Sequence, residues 1–95
     1  MHHQRWVRVK GSGLVYDGPC KIDTIVFSPV TGADYVDIYD GLDATAGKKF
    51  CRIVSAVVVT WPFCFHSGLE FGVGIYVTDI DEGTETTVVF TPLAE

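Results

Sequence analysis

Four carboxylates at three-residue intervals, Asp34, Asp37, Asp40 and Asp43, are the first groups whose type and spacing suggest chemistry, since calcium is held by clustered acids. They lie in Asp34-Tyr35-Val36-Asp37-Ile38-Tyr39-Asp40-Gly41 and just beyond it. That segment alternates, with Val36 and Ile38 on one face and Tyr35, Asp37 and Tyr39 on the other, so it reads as a half-buried strand running into an Asp-Gly turn. On a strand, neighbouring members of a three-residue series point to opposite faces. The series also lacks the alternate-position acids and terminal Glu of an EF-hand loop, so turn-forming and solvated roles are expected. The turn Asp79-Ile80-Asp81-Glu82-Gly83 brings its carboxylates closer together. It stays open as a cation site beside the plainer role of a hairpin turn.

Cys64 and His66 share a face if the chain there is extended, with Cys51 as a conceivable third zinc ligand. Zinc sites carry paired ligands at short spacing, and only one such pair exists here. A Cys64–His66 nucleophilic pair has no evident orienting group and no oxyanion donor. There is no Gly-x-Ser-x-Gly elbow, and Gly11-Ser12-Gly13 precedes no helix-like segment, so no phosphate cradle is formed. The residues predict no enzyme, no catalytic or metal site and no cofactor.

The elements that would position these groups are short extended runs. Residues 4–10 alternate, with Trp6 on one face and Arg5, Val7 and Val9 on the other. Leu14 to Tyr16 resume after Gly11-Ser12-Gly13, and Asp17-Gly18-Pro19 turns the chain into residues 20–27, apolar on both faces near their end. Residues 42–48 read as a surface loop. Residues 49–54 and 57–61 flank Ser55-Ala56 and form either two strands or one bent one, with Pro62 placing the second at a sheet edge or ending it. Phe63 to Phe65 lead to a His66-Ser67-Gly68 turn. Val73, Ile75 and Val77 alternate in the next strand, and residues 85–91 make the last before Pro92. Seven to nine strands at roughly 8 to 12 residue spacing, with no helix-period segment, predict an all-β antiparallel sandwich of jelly-roll-like topology. Residues 1–10 are expected to be an N-terminal arm or edge strand, and residues 11–95 a single sandwich domain.

The apolar fraction of 47% and charged fraction of 20% are those of a folding chain. A net charge of −5 argues against nucleic acid as a partner. Residues 1–52 hold seven basic groups against six acidic ones, and residues 53–95 hold six acidic groups with no Lys or Arg, which suggests either a solvated acidic surface or a head-to-tail contact between copies. No apolar run approaches the roughly 18 residues of a membrane helix, so no membrane association is expected. Three cysteines, Cys20, Cys51 and Cys64, cannot all pair within one chain; with no apolar signal region, they suggest a protein made in a reducing cytoplasm. Six Phe, four Tyr and two Trp exceed what a small core needs. Exposure is expected among Trp6, Tyr35, Tyr39, Trp61 and Phe63, and such aromatics mark partner surfaces.

Leu14-Val15-Tyr16-Asp17-Gly18-Pro19, Val36-Asp37-Ile38-Tyr39-Asp40-Gly41 with Gly47-Lys48-Lys49, Gly72-Val73-Gly74-Ile75-Tyr76-Val77 and Thr87-Val88-Val89-Phe90 together resemble small all-β virion proteins of tailed bacteriophages. That resemblance implies a capsid decoration or cement protein in the virion, or a tail or head-tail component. Its partners would be the major capsid protein or other virion subunits, and it would act as a homo-oligomer, a trimer favoured. Arg5, Trp6, Arg8, Trp61 and Phe63 are the expected contact residues, the first three on an arm that orders on a neighbour. A second, partial resemblance is to CUB domains, extracellular calcium-dependent protein- or carbohydrate-binding modules. Asp34 to Gly41 are similar to that family's hallmark strand, Phe50-Cys51 to its next cysteine and Phe65-His66-Ser67 to a later strand. It implies Asp34 as a calcium ligand, but Gly68 stands where the family has an Asp.

Overall fold

Turn residues at short intervals cut the chain into eight strands: β1 (Arg5–Lys10), β2 (Gly13–Asp17), β3 (Cys20–Ser28), β4 (Asp34–Asp40), β5 (Lys48–Ser55), β6 (Trp61–Phe71), β7 (Gly74–Asp79) and β8 (Glu85–Pro92). The structure is a computed structural model that describes residues 3–30, 34–55, 57–79 and 84–93, and no helix occurs among them. One sheet has the order β1-β8-β3-β6 and the other β2-β7-β4-β5. β1 pairs with β8, β2 with β7, β3 with β6 and β4 with β5, all antiparallel. The chain is thus one long hairpin ribbon, rolled so that β8 also meets β3 and β7 also meets β4. This is the wrapping of a jelly roll, and the expected all-β sandwich is what forms.

The core lies between the sheets. Ile22, Ile25, Phe27, Val88 and Phe90 descend from the first and Val36, Ile38, Ile75 and Val77 from the second, all fully or almost fully buried. Each such side chain stabilises the fold by roughly 1.5–3 kcal/mol on burial. In β3 the inward series Cys20, Ile22 changes parity to Ile25, Phe27, which strict alternation forbids. A bulge resolves it: the register slips between Ile22 and Thr24 against both neighbours, so the extra residue, Asp23, restores the apolar face. Asp23 Oδ2 accepts from Gln4 Nε2 and Thr91 Oγ1, each at 3.1 Å.

Several local expectations are corrected. Val57 to Thr60 form no strand; they carry the chain from one sheet to the other. His66-Ser67-Gly68 is not a turn between strands. Residues 65–68 bulge out of the continuous β6 opposite the single Asp23, with Ser67 at φ 70° and Gly68 at φ 79°. Val73 is exposed in the bend before β7, unlike Ile75 and Val77. Of the two alternatives for the N-terminal residues, an arm or an edge strand, residues 5–10 take the second, paired along their length with β8. Ile80 to Gly83 of the acidic turn lie outside the described residues.

Candidate interaction surface

The acids that opened the sequence each have a separate structural partner. Asp34 is buried where β4 begins; its Oδ2 accepts from the Thr84 hydroxyl and its Oδ1 from the Tyr35 N–H at 2.8 Å, pinning the start of β4 to the residue before β8. Asp37 faces outward and forms a fork with Arg52, Nε to Oδ1 at 2.7 Å and Nη2 to Oδ2 at 3.0 Å, with Lys49 at 3.3 Å. The Arg52 hydrogen bond is the main reason the Asp37 carboxyl is held below the usual range. Arg52 also stacks 3.9 Å from the centre of the Tyr35 ring. Desolvation would push the Asp40 carboxyl up, but N–H donors from Gly72, Val73 and Gly74 and the nearby Lys48 outweigh it and hold it down. Asp43 accepts from Thr45 N–H at 2.9 Å and Ala46 N–H at 2.7 Å, closing the β4–β5 loop. Four acids at regular spacing are thus four unrelated fastenings.

The cysteines are equally dispersed. Cys64 pairs with Thr24 in the first sheet, Cys51 pairs with Ile38 in the second, and His66 lies in the bulge, so extended geometry does not join Cys64 to His66. Among the described residues no cluster of three metal-ligating side chains exists. Burial first, and then the Asp40 charge, pushes the Cys20 thiol up to about 11. Burial and the Asp37 charge likewise raise Cys51, so neither is a ready thiolate at neutral pH.

Among the described residues, the flank formed by β5 and β6 carries more of the exposed large apolar side chains than the flank formed by β1 and β2. β5 ends the second sheet and β6 ends the first, and the chain crosses between them there. By register Trp61 lies opposite Phe27 and Phe63 opposite Ile25, so both share the inward face, but at the sheet edge that face is left open. Trp61 remains 42% and Phe63 37% exposed. Trp61 is held by its Nε1–H, which donates to Ser55 Oγ at 3.0 Å across the gap between the sheets. Further along, Phe50 meets Phe71 edge-on at a ring distance of 5.6 Å and Phe65 at 6.2 Å. A cleft of about 310 Å³ opens there, floored by Phe50, Leu69 and Phe71 and rimmed by Lys48, Lys49 and Glu70.

Sequence reasoning missed most of this surface. Val57, Val58 and Val59, which lead into Trp61, are exposed, as are Val54 on the outward face of β5 and Phe50 lower on the flank. The signal was available: residues 53–69 are seventeen consecutive positions without a Lys, Arg, Asp or Glu. At on the order of 100 Å² for each half-exposed side chain, the exposed apolar area along this flank sums to several hundred Å², and exposed apolar surface of that extent, where contiguous, marks a partner. Pro62 removes a ladder donor and the bulge at residues 65–68 interrupts the edge, both of which blunt strand addition. Side-chain packing is therefore the contact this flank favours.

Arg5, Trp6 and Arg8 do not join that patch. They belong to β1, the opposite edge of the same sheet, roughly 14 Å away at three strand spacings. Trp6 is 68% exposed, and Arg8 lies 3.6 Å from Glu85 with both side chains largely in solvent, an ion pair contributing about 0–1 kcal/mol. No protein-family model, curated protein or solved structure matches the chain.

Proposed function

We propose that the chain is a non-enzymatic structural protein that works by packing its β5–β6 flank against protein neighbours, in the manner of a capsid decoration protein. The observation that carries this reading is the exposure of Val57, Val58, Val59, Trp61 and Phe63 within the charge-free run of residues 53–69, at one flank of a jelly roll. Interfaces are depleted of charge at their centres and enriched in aromatics, and hot spots concentrate in Trp and Tyr. The virion assignment rests on the resemblance of the strand motifs to tailed-phage virion proteins. Jelly rolls serve capsids and lectins alike, so the fold by itself does not choose. A decoration protein would bridge neighbouring capsid subunits and add buried area; a specific contact needs roughly 1,200–2,000 Å² in total.

The test is co-sedimentation with shells assembled from the major capsid protein encoded alongside this chain. Wild type is expected to bind saturably, and a Val58→Asp/Phe63→Asp variant to stay in the supernatant while retaining its far-UV spectrum. No wild-type binding, or equal binding of the variant, would overturn the proposal.

A further inference from the structure

The first sheet has two open edges of unlike chemistry, and the registers place their residues in common rows. Val7, Val88, Ile25 and Phe63 form one row across the sheet, and Val9, Thr86, Phe27 and Trp61 the next, both on the inward face. Trp6, Val89, Thr24 and Cys64 form an outward row, followed by Arg8, Thr87, Val26 and Pro62. Three successive antiparallel pairings make β1 run opposite to β6. A second copy set beside the first in the same orientation therefore brings its β1 against β6 antiparallel, without a flip.

We infer that the occupant of the β6 edge is the β1 edge of a second copy of this chain, in a head-to-tail contact. This rests on reading the β5–β6 flank as a protein contact, and assigns its β6 edge to a second copy, which leaves β5 and the Val57–Val59 crossover for the shell. With the rows kept level, Val7 and Val9 of one copy extend the apolar face that Phe63 and Trp61 of the other leave uncovered. On the outward face Trp6 lies over Cys64, and Arg8 over Pro62. Charge supports the pairing: β1 carries Arg5, Arg8 and Lys10, whereas β6 carries no Lys or Arg and has Glu70 at the end that Arg5 approaches. The symmetric alternative of β1 on β1 sets those cations against their own copies, and like charges directly opposite are destabilising. β6 on β6 would leave the Trp6 edge bare. Only the unlike contact covers both edges, and a heterologous contact repeats until it closes or grows without limit. Pro62 takes one donor from the seam, so packing and not a full ladder carries it.

The unlike contact has a signature that a symmetric one lacks. Trp6→Asp spoils the β1 edge and Cys64→Asp the β6 edge; both positions are exposed, and circular dichroism checks that each variant folds, with Phe63→Asp as a second β6 variant. By light scattering at about 50 µM, wild type is expected well above its 10.4 kDa monomer mass. Each variant alone is expected as a monomer, and an equimolar mixture of the two as a one-to-one dimer, because each contributes its intact edge. A wild-type monomer, an assembled Trp6→Asp variant, or a mixture that stays monomeric would each overturn the inference. Shell binding by a wild-type monomer would separate that failure from failure of the structural role.

Discussion

Asp40 Oδ1 accepts the backbone N–H of Val73 at 2.9 Å, so the last residue of β4 holds the bend between β6 and β7, thirty-three positions along the chain. Gly72 donates to the other carboxylate oxygen at 3.0 Å, and Gly74 to Oδ1 at 3.3 Å. One side chain thereby ties the end of the first sheet's edge strand to the second sheet. Charge-assisted hydrogen bonds contribute about 1.5–3 kcal/mol each, and these share one acceptor group. Asp40→Ala is expected to destabilise the fold by about 2–3 kcal/mol in urea titration, whereas Asp43→Ala, in an exposed loop, is expected to cost about 1 kcal/mol or less.

Acid sensitivity follows from the same residues. The folded Asp37 and Asp40 carboxyls titrate below their unfolded counterparts at about 3.9, so the stability they supply is fully present above that pH and is lost as pH falls through their folded values. Urea midpoints measured between pH 7 and pH 2 should be level down to about pH 5 and then fall. Asp40→Asn should lie lower at neutral pH and show a shallower acid slope. An unchanged slope would remove Asp40 as a source of the acid response.

Thiol reactivity should rank with burial. Cys64 is exposed, Cys51 is partly covered and Cys20 is fully buried with its thiol pushed up to about 11. At pH 8 a thiol reagent should consume one equivalent quickly in the dissociated or Trp6→Asp protein, at Cys64, with Cys20 reacting only on unfolding. Three equivalents at one rate would contradict the burial of Cys20.

At the turn that ends the opening stretch, a Cβ on Gly41 would run into the backbone Cα of Gly47. Backbone yields less readily than a side chain, so Gly41→Ala is expected to cost about 1–3 kcal/mol, in the range of overpacked positions. At exposed Gly72 a Cβ would meet nothing within 4 Å, and Gly72→Ala should change stability by about 0.5 kcal/mol or less. Thermal melting of the two variants compares them directly.

Calcium is not expected to stabilise the chain through Asp34. Both oxygens of that carboxylate already accept protein donors, and the family acid at position 68 is Gly68, in a bulge packed against the Lys21 stem. Calorimetric titration should give no heat attributable to Asp34, with wild type and Asp34→Asn alike. A heat lost in Asp34→Asn would restore the CUB-like reading.

The architecture is legible because period-two alternation and Gly, Pro and Asp punctuation recur from Leu14 to Thr91, and because residues 20–27 become apolar on both faces near their end, as expected for a central strand. The Asp23 bulge was hidden: nothing local distinguishes one extra residue in a strand from a solvated acid, and only the cross-strand register shows it. The flank was half legible. Trp61 and Phe63 were singled out by type, but strand parity put them on the inward face, and exposure came from position at an edge, a property of the topology. Val57 to Val59 looked like a strand because β-branched composition is shared by strands and by the apolar crossover found there. Aromatic and basic character groups Arg5, Trp6 and Arg8 with Trp61; the sheet order separates them.

Amide hydrogen exchange on the assembled protein, against a dissociated or monomeric form, tests the central claim most directly. Burial of the β5–β6 flank predicts added protection in residues 57–65, with little change across the outward face of β4 and β7 around Tyr35, Tyr39 and Tyr76. Unchanged exchange in residues 57–65, with new protection on that outward face, would contradict it.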